Sequence, residues 1–123
     1  MSLKGLRVID LTRILAGPFC TQLLADLGAE VIKIEGPRGD PVRQQGAIVN
    51  GLSWYFAQFN RNKKSVVLDL YDDNDKSTLS RLLETADVLV ENFRPGILSD
   101  MGFGPRELER LNPKLIHASV NGY

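Results

Sequence analysis

Two hydrophobic rhythms take turns along the chain. Short apolar runs recur at residues 7–11 (R-V-I-D-L), 30–35 (E-V-I-K-I-E), 65–70 (S-V-V-L-D-L), 88–91 (V-L-V-E) and 115–120 (L-I-H-A-S-V). Each has the length and the β-branched content of a strand. Between them the spacing of apolar residues lengthens to that of a helix. Phe19, Leu23, Leu24 and Leu27 fall on one side of residues 18–27, which predicts a helix with that side turned to the core and Gly28 as its left-handed terminal residue. Leu79, Leu82, Leu83 and Ala86 mark the core side of a second helix, with N-capping side chains on offer from residues 72–75. A short helical turn is expected up to Gly102. Pro105 then opens a helix with Leu108 and Leu111 inward, ending before Pro113.

Strands alternating with helices predict an α/β fold of Rossmann-like type: a mostly parallel sheet, right-handed crossovers and flanking helices. The run 30–35 alternates apolar with charged residues, which places one of its faces nearer solvent or the strand nearer a sheet edge. Residues 36–51 have no period and read as a long loop, a length that usually accompanies function or mobility. The aromatic-rich stretch 52–59 (L-S-W-Y-F-A-Q-F) fits a helix or a strand, the helix being preferred, and 60–64 (N-R-N-K-K) reads as a basic polar turn. No helix follows the last strand to cover it, a hint that the fold is incomplete.

Composition narrows the function classes. A chain of 123 residues, 43% hydrophobic and 24% charged, is ordinary for one soluble domain. Its formal net charge of zero speaks against nucleic acid or an anionic membrane as the main partner, since both reward a basic excess. A single cysteine, Cys20, leaves no internal disulfide and fits a reducing compartment. With neither a secretory apolar segment nor a run long enough to span a bilayer, the expected location is cytoplasmic.

Candidate chemistry centres on residues 6–18, L-R-V-I-D-L-T-R-I-L-A-G-P. A strand, a tight turn and a helix starting at proline expose backbone N–H groups. These favour an anion by about 0.3–1 kcal/mol at a surface, so a phosphorylated ligand is the first to consider. The turn lacks the G-x-G-x-x-G spacing of a dinucleotide site, and Glu35, though placed like a ribose-binding acid, does not restore it; NAD is not expected. Arg38 has donors for a phosphate or a base, or is a solvated loop arginine; Arg61, Lys63 and Lys64 form a phosphate patch or, more simply, a solvated turn. Asn92, Phe93 and Arg94 follow a strand where ligands of open sheets bind, or close a turn on Pro95 and Gly96. His117 has no Cys/His cluster around it in sequence, so it reads as a core or surface residue and no metal is expected. Cys20 reads as a small buried hydrophobe, and Asp10 and Asp69 as strand residues facing a polar side or strand end.

Five motifs in order then resemble one family: D-L-T-R-I-L-A-G-P at 10–18, L-G-A-E-V-I-K-I-E at 27–35, N-R-N-K-K-S-V-V-L-D-L at 60–70, V-E-N-F-R-P-G at 90–96 and L-N-P-K-L-I-H-A-S-V-N-G-Y at 111–123. They are similar to the class III CoA-transferases, the group of formyl-CoA transferase, carnitine CoA-transferase, the acyl-CoA:glutarate-type transferases and α-methylacyl-CoA racemase. The resemblance implies that residues 1–123 are the N-terminal, CoA-binding portion of a chain several times longer, which forms interlocked homodimers. It implies acyl-CoA and a small carboxylic acid as substrates of a CoA transfer, with a fragment of an α-methylacyl-CoA racemase or a non-catalytic CoA- or nucleotide-binding module as the alternatives. Carried over by motif, Leu15 and Ala16 line the cofactor site in the first turn, Leu68 to Tyr71 lie along it, and Asn92, Phe93 and Arg94 are near it.

Three departures bear on specificity. Gly36 follows Glu35 where the family often has arginine, which leaves the role to Arg38. Tyr71 and Asp100 stand where formyl-CoA transferase has lysine and arginine. Leu15 replaces that enzyme's glutamine. The family's aspartate nucleophile, which forms a mixed anhydride and then an enzyme-bound thioester, lies beyond the x-G-Y motif, so no catalytic residue is expected in residues 1–123. The histidine and aspartate of the racemase branch lie beyond it too, and His117 does not match that histidine.

Overall fold

The computed structural model describes residues 2–122; Met1 and Tyr123, the end of the last motif, lie outside the described residues. Parallel strands form the centre of the molecule in the order β5-β2-β1-β6-β7. They comprise β1 (Arg7–Asp10), β2 (Glu30–Glu35), β5 (Lys63–Val67), β6 (Val88–Glu91) and β7 (Ile116–Ser119). Helix α1 (Ala16–Asp26) connects β1 to β2, α3 (Asp73–Glu84) connects β5 to β6, and α4 (Ile97–Asp100) and α5 (Pro105–Leu111) precede β7.

Period-two alternation in the strands separates two apolar layers. Ile9, Ile32, Ile34 and Leu89 point to one side, where they meet Leu79 and Leu83 of α3 and Leu108 of α5. Val8, Val31 and Val90 point to the other and meet Ala25 and Ala29. Leu79, Leu83 and Leu89 are completely buried. Leu89→Ala should therefore cost about 2–5 kcal/mol of unfolding free energy in a urea titration, whereas Val67→Ala, at a 62% exposed edge position, should cost well under 1 kcal/mol.

Helix α1 departs from expectation. Its buried residues are Gly17, Pro18, Thr21, Gln22 and Ala25, while Phe19, Leu23 and Leu27 are about half exposed. The cause is close approach at the helix start: a Cβ on Gly17 would run into the Thr12 side chain, and Thr21 Oγ1 donates to Asp10 Oδ2 at 2.7 Å. The small and polar side is thus drawn to the sheet; of the large apolar residues only Leu24 packs against the core, while Phe19, Leu23 and Leu27 face away, with Phe19 edge-on to Phe59. Cys20 shares this outer side and is exposed, not buried.

The charged positions of β2 are also buried, contrary to the pattern reading. Lys33 and Glu35 sit inside because each meets opposite charge at the C-terminal end of the strand: Lys33 Nζ lies 2.9 Å from Asp40 Oδ2, and Arg43 clasps Glu35. Strand β5 begins two residues earlier than predicted, since Lys63 pairs in register with Val31. The long loop contains a 3-10 turn (Pro41–Gln44) capped by Asp40. A hairpin of β3 (Ile48–Val49) and β4 (Leu52–Ser53) follows, turning at Asn50 (φ 52°) and Gly51 (φ 78°). Two left-handed residues are what a type I′ hairpin turn needs. Helix α2 (Trp54–Asn60) matches the helix expected there, and the Ser53 hydroxyl caps it by accepting from Phe56 N.

Candidate functional site

Strand order reverses beside β1: the chain leaves it toward β2 and β5, then returns to its other side as β6 and β7. Open α/β sheets bind ligands outside the carboxyl ends of the strands at such a point. A cleft of about 760 Å³ lies there, walled by residues 11–14 after β1, 34–40 at the end of β2, 68–71 after β5 and 92–94 after β6.

The cleft brings together Arg38, Leu68, Tyr71, Asn92, Phe93 and Arg94. Leu15 and Ala16 are not in its wall: Leu15 is the N-cap of α1, 43% exposed, and Ala16 opens the helix beside it. Asp100 lies exposed on α4, outside the wall. Arg13, Ile14 and Asp40 line the cleft and were not singled out from sequence. Asp40 carried a signal, since aspartate before Pro41 is a strong helix-start pair; nothing in the sequence marks Ile14.

Three arginines, Arg13, Arg38 and Arg94, line the cleft. Among the described residues none has an ion-pair partner. Two carboxylates in the same wall, Glu35 and Asp40, are neutralised by Arg43 and Lys33. The free charge therefore favours an anion, with half-buried Asp69 as the remaining acidic counterweight in the wall. Leu68, Tyr71 and Phe93 add apolar and aromatic surface.

Asn92 is committed to the protein itself. Its Oδ1 accepts from Arg13 N at 3.0 Å and its Nδ2 donates to Arg13 O at 2.8 Å, so it holds the turn instead of offering a free amide to a ligand.

Glu35 has no vacancy for a ribose. Its oxygens accept from Arg43 Nε and Nη2, Ser65 Oγ and Asp40 N. Burial pushes its pKa up, but Arg43, Ser65 and the Asp40 amide outweigh that and hold it down at about 2. The resulting stabilisation is complete above the ordinary value of 4.5 and is lost as pH falls toward 2. The stability gap between wild type and Glu35→Gln should accordingly be full at pH 7 and close between pH 4.5 and 2, as read by denaturant titration at each pH.

The basic turn is neither a phosphate patch nor solvated throughout. Lys63 Nζ lies 3.0 Å from Asp10 Oδ2, both side chains being at most 1% exposed, and it also donates to Pro18 O and Asn60 Oδ1. Burial lowers the Lys63 pKa, opposed by Asp10. Lys64 pairs with Glu30, and Arg61 with Asp26. Asp10 is itself buried at the end of β1, as a strand-end residue, whereas Asp69 lies past the end of β5. His117 is exposed, and its Nε2 stands 3.9 Å from Glu91 Oε2, too far for a hydrogen bond. Among the described residues no group of three or more His, Cys, Asp or Glu could hold a metal ion, and no helix is long and apolar enough to cross a membrane.

Comparison with known proteins follows from this geometry. The model of a family described as CoA-transferase family III matches residues 3–123. The chain belongs to that family. It is 50% identical to an acetyl-CoA:oxalate CoA-transferase of Acetobacter aceti, over 97% of this chain and 31% of that protein. With a succinyl-CoA:glutarate CoA-transferase of Mus musculus it shares 47% identity, over 98% of this chain and 28% of that protein. Among solved structures, a CAIB/BAIF family protein from Brucella suis superposes with a TM-score of 0.92 at 42% identity, covering 98% of this chain and 33% of that one. Rv3272 from Mycobacterium tuberculosis superposes with a TM-score of 0.90 at 46% identity, over 98% of this chain and 34% of that one. The chain spans about a third of the length of the curated relatives it matches. Membership of CoA-transferase family III agrees with the parallel α/β fold, which superposes on both solved structures.

Proposed function

We propose that the cleft holds coenzyme A, and that residues 1–123 supply the CoA-binding part of an enzyme that moves CoA from an acyl-CoA to a carboxylic acid. The observation that carries this reading is the set of arginines without ion pairs, Arg13, Arg38 and Arg94, that line a cleft with apolar and aromatic walls. Such a surface complements a ligand with several phosphates and a planar base. The named relatives act on oxalate and glutarate, which supports a carboxylic acid as acceptor without choosing one. The reading includes a homodimer for the whole protein and a nucleophilic aspartate outside residues 1–123. The 123-residue chain by itself should then show no CoA exchange between acyl-CoA and a carboxylic acid; exchange by this chain alone would refute that placement.

Calorimetric titration with CoA, dephospho-CoA and NADH tests the site. CoA should bind and NADH should not compete with it; tight NADH binding in its place would overturn the reading. Arg38→Ala and Arg94→Ala each remove one exposed charge. If either side chain meets the 3′-phosphate, its loss should weaken CoA by roughly 3- to 10-fold more than dephospho-CoA, the order expected for one charge-assisted contact. Equal losses for the two ligands would assign that arginine elsewhere on the nucleotide.

A further inference from the structure

The cleft wall contains a conformation that its own residue does not favour. Ile14 has φ 75°, in the left-handed region where a β-branched side chain is a genuine outlier. Such conformations persist only where their surroundings over-determine them, and they concentrate at functional sites. The surroundings here are side chains from separate segments. Asp40 accepts from Ile14 N through both carboxylate oxygens, at 3.1 and 3.3 Å. Lys33 Nζ donates to Thr12 O at 3.0 Å and to Asp40 Oδ2 at 2.9 Å. Asn92 takes both backbone groups of Arg13.

Asp40 is itself immobilised. Its side chain and that of Lys33 are each 1% exposed, its own N–H donates to Glu35 Oε1 at 2.8 Å, and its Oδ1 caps the 3-10 turn by accepting from Val42 N at 3.1 Å. A rigid, charged acceptor is therefore aimed at the backbone amide of Ile14, the one β-branched residue at positive φ among the described residues.

We propose that Asp40, backed by Lys33, is a positioning residue of the cleft: it holds Ile14 in the left-handed conformation and thereby sets the Arg13–Ile14 wall against which the ligand lies. The role does not require Asp40 to touch the ligand. It ties the shape of the first turn to the segment after β2, so a change in either is felt by the other. Its ligand readout rests on the coenzyme A reading; its structural readout does not.

The test is a rescue in the full-length protein. Asp40→Asn should raise the CoA dissociation constant at least tenfold by calorimetry, because the neutral amide loses Lys33 and holds the Ile14 amide less well. Glycine adopts positive φ without steric cost. In an Ile14→Gly background the same Asp40→Asn change should therefore cost less than threefold. Equal losses in the two backgrounds would overturn the proposal. A crystal structure of Asp40→Asn should show Ile14 outside the left-handed region; Ile14 still at positive φ would also overturn it, and this readout holds even if the wild type binds no CoA, a result that would end the coenzyme A reading alone. Should Asp40→Asn fail to fold, Lys33→Met/Asp40→Ser leaves no buried charge unpaired and keeps a side-chain oxygen for Val42 N, while serine is too short to reach Ile14; the same criteria apply to it. Independently of Asp40, Ile14→Gly should melt at a higher temperature than Ile14→Ala, and the reverse order would remove the strain on which the proposal depends.

Discussion

Asp10→Ala should lower the unfolding free energy by about 3–5 kcal/mol, the usual result of leaving a buried ion without its partner. Asp10 is fully buried, and each of its oxygens is used. Oδ1 accepts from the Thr12 amide at 2.8 Å and from the Thr12 hydroxyl; Oδ2 accepts from the Thr21 hydroxyl and pairs with Lys63. Alanine leaves the Lys63 ammonium in the interior with only the neutral oxygens of Pro18 and Asn60, removes the carboxylate that holds the Thr12 amide and hydroxyl, and leaves the Thr21 hydroxyl to the more distant Gly17 O and Pro18 O. A small domain has about 5–15 kcal/mol in total, so the loss takes a large share of it. The residue joins the end of β1, the start of α1 and edge strand β5, so the damage should reach the cleft turn as well. Urea denaturation followed by far-ultraviolet circular dichroism measures it. Asp10→Leu/Lys63→Met, which removes both charges, should recover much of the loss, because a packed apolar pair avoids the desolvation cost. A loss below 1 kcal/mol for Asp10→Ala would mean that Lys63 finds water or another anion on its own.

That network also shows where sequence reading stops. Strands β2 and β6 were legible to the residue because apolar runs bounded by turn residues admit few alternatives. The alternation of strands and helices gave the parallel sheet, and Arg38, Leu68, Tyr71, Asn92, Phe93 and Arg94, singled out from sequence, lie together in the wall of the cleft beyond its strand ends. Helix α1 was misread because the periodicity argument lets the most apolar side face the sheet. Here the tight passage at Gly17 and the hydroxyl of Thr21 decide the rotation instead. Lys63 looked like a solvated lysine because its partner, Asp10, lies more than fifty positions away, beyond what local pattern can join. Asn50-Gly51 did carry a readable hairpin signal in a stretch that otherwise lacks periodicity. The strained Ile14 carried none, because an isoleucine at positive φ contradicts the local preference on which sequence reading depends.

Asn92→Asp should weaken CoA binding by about 30- to 150-fold, which corresponds to roughly 2–3 kcal/mol. The change replaces one NH2 by oxygen, yet it acts twice. The carboxylate can still accept from Arg13 N, but its second oxygen is set against Arg13 O in place of the 2.8 Å hydrogen bond, so a bond of about 0.5–1.5 kcal/mol is exchanged for repulsion at the turn that forms the cleft wall. On the coenzyme A reading, the new negative charge also opposes phosphates held beside Arg13, Arg38 and Arg94 of the wall. Salt separates the two contributions. The Coulombic part should shrink between low and high ionic strength, since the site is open to solvent, whereas the part due to the displaced turn should stay. Asn92→Ala, which loses both turn bonds without adding charge, isolates the second contribution and should show a loss that salt leaves unchanged relative to wild type. If Asn92→Asp binds CoA within threefold of wild type at low salt, the Arg13 turn does not shape the ligand site, and the phosphates lie elsewhere than beside residues 92–94.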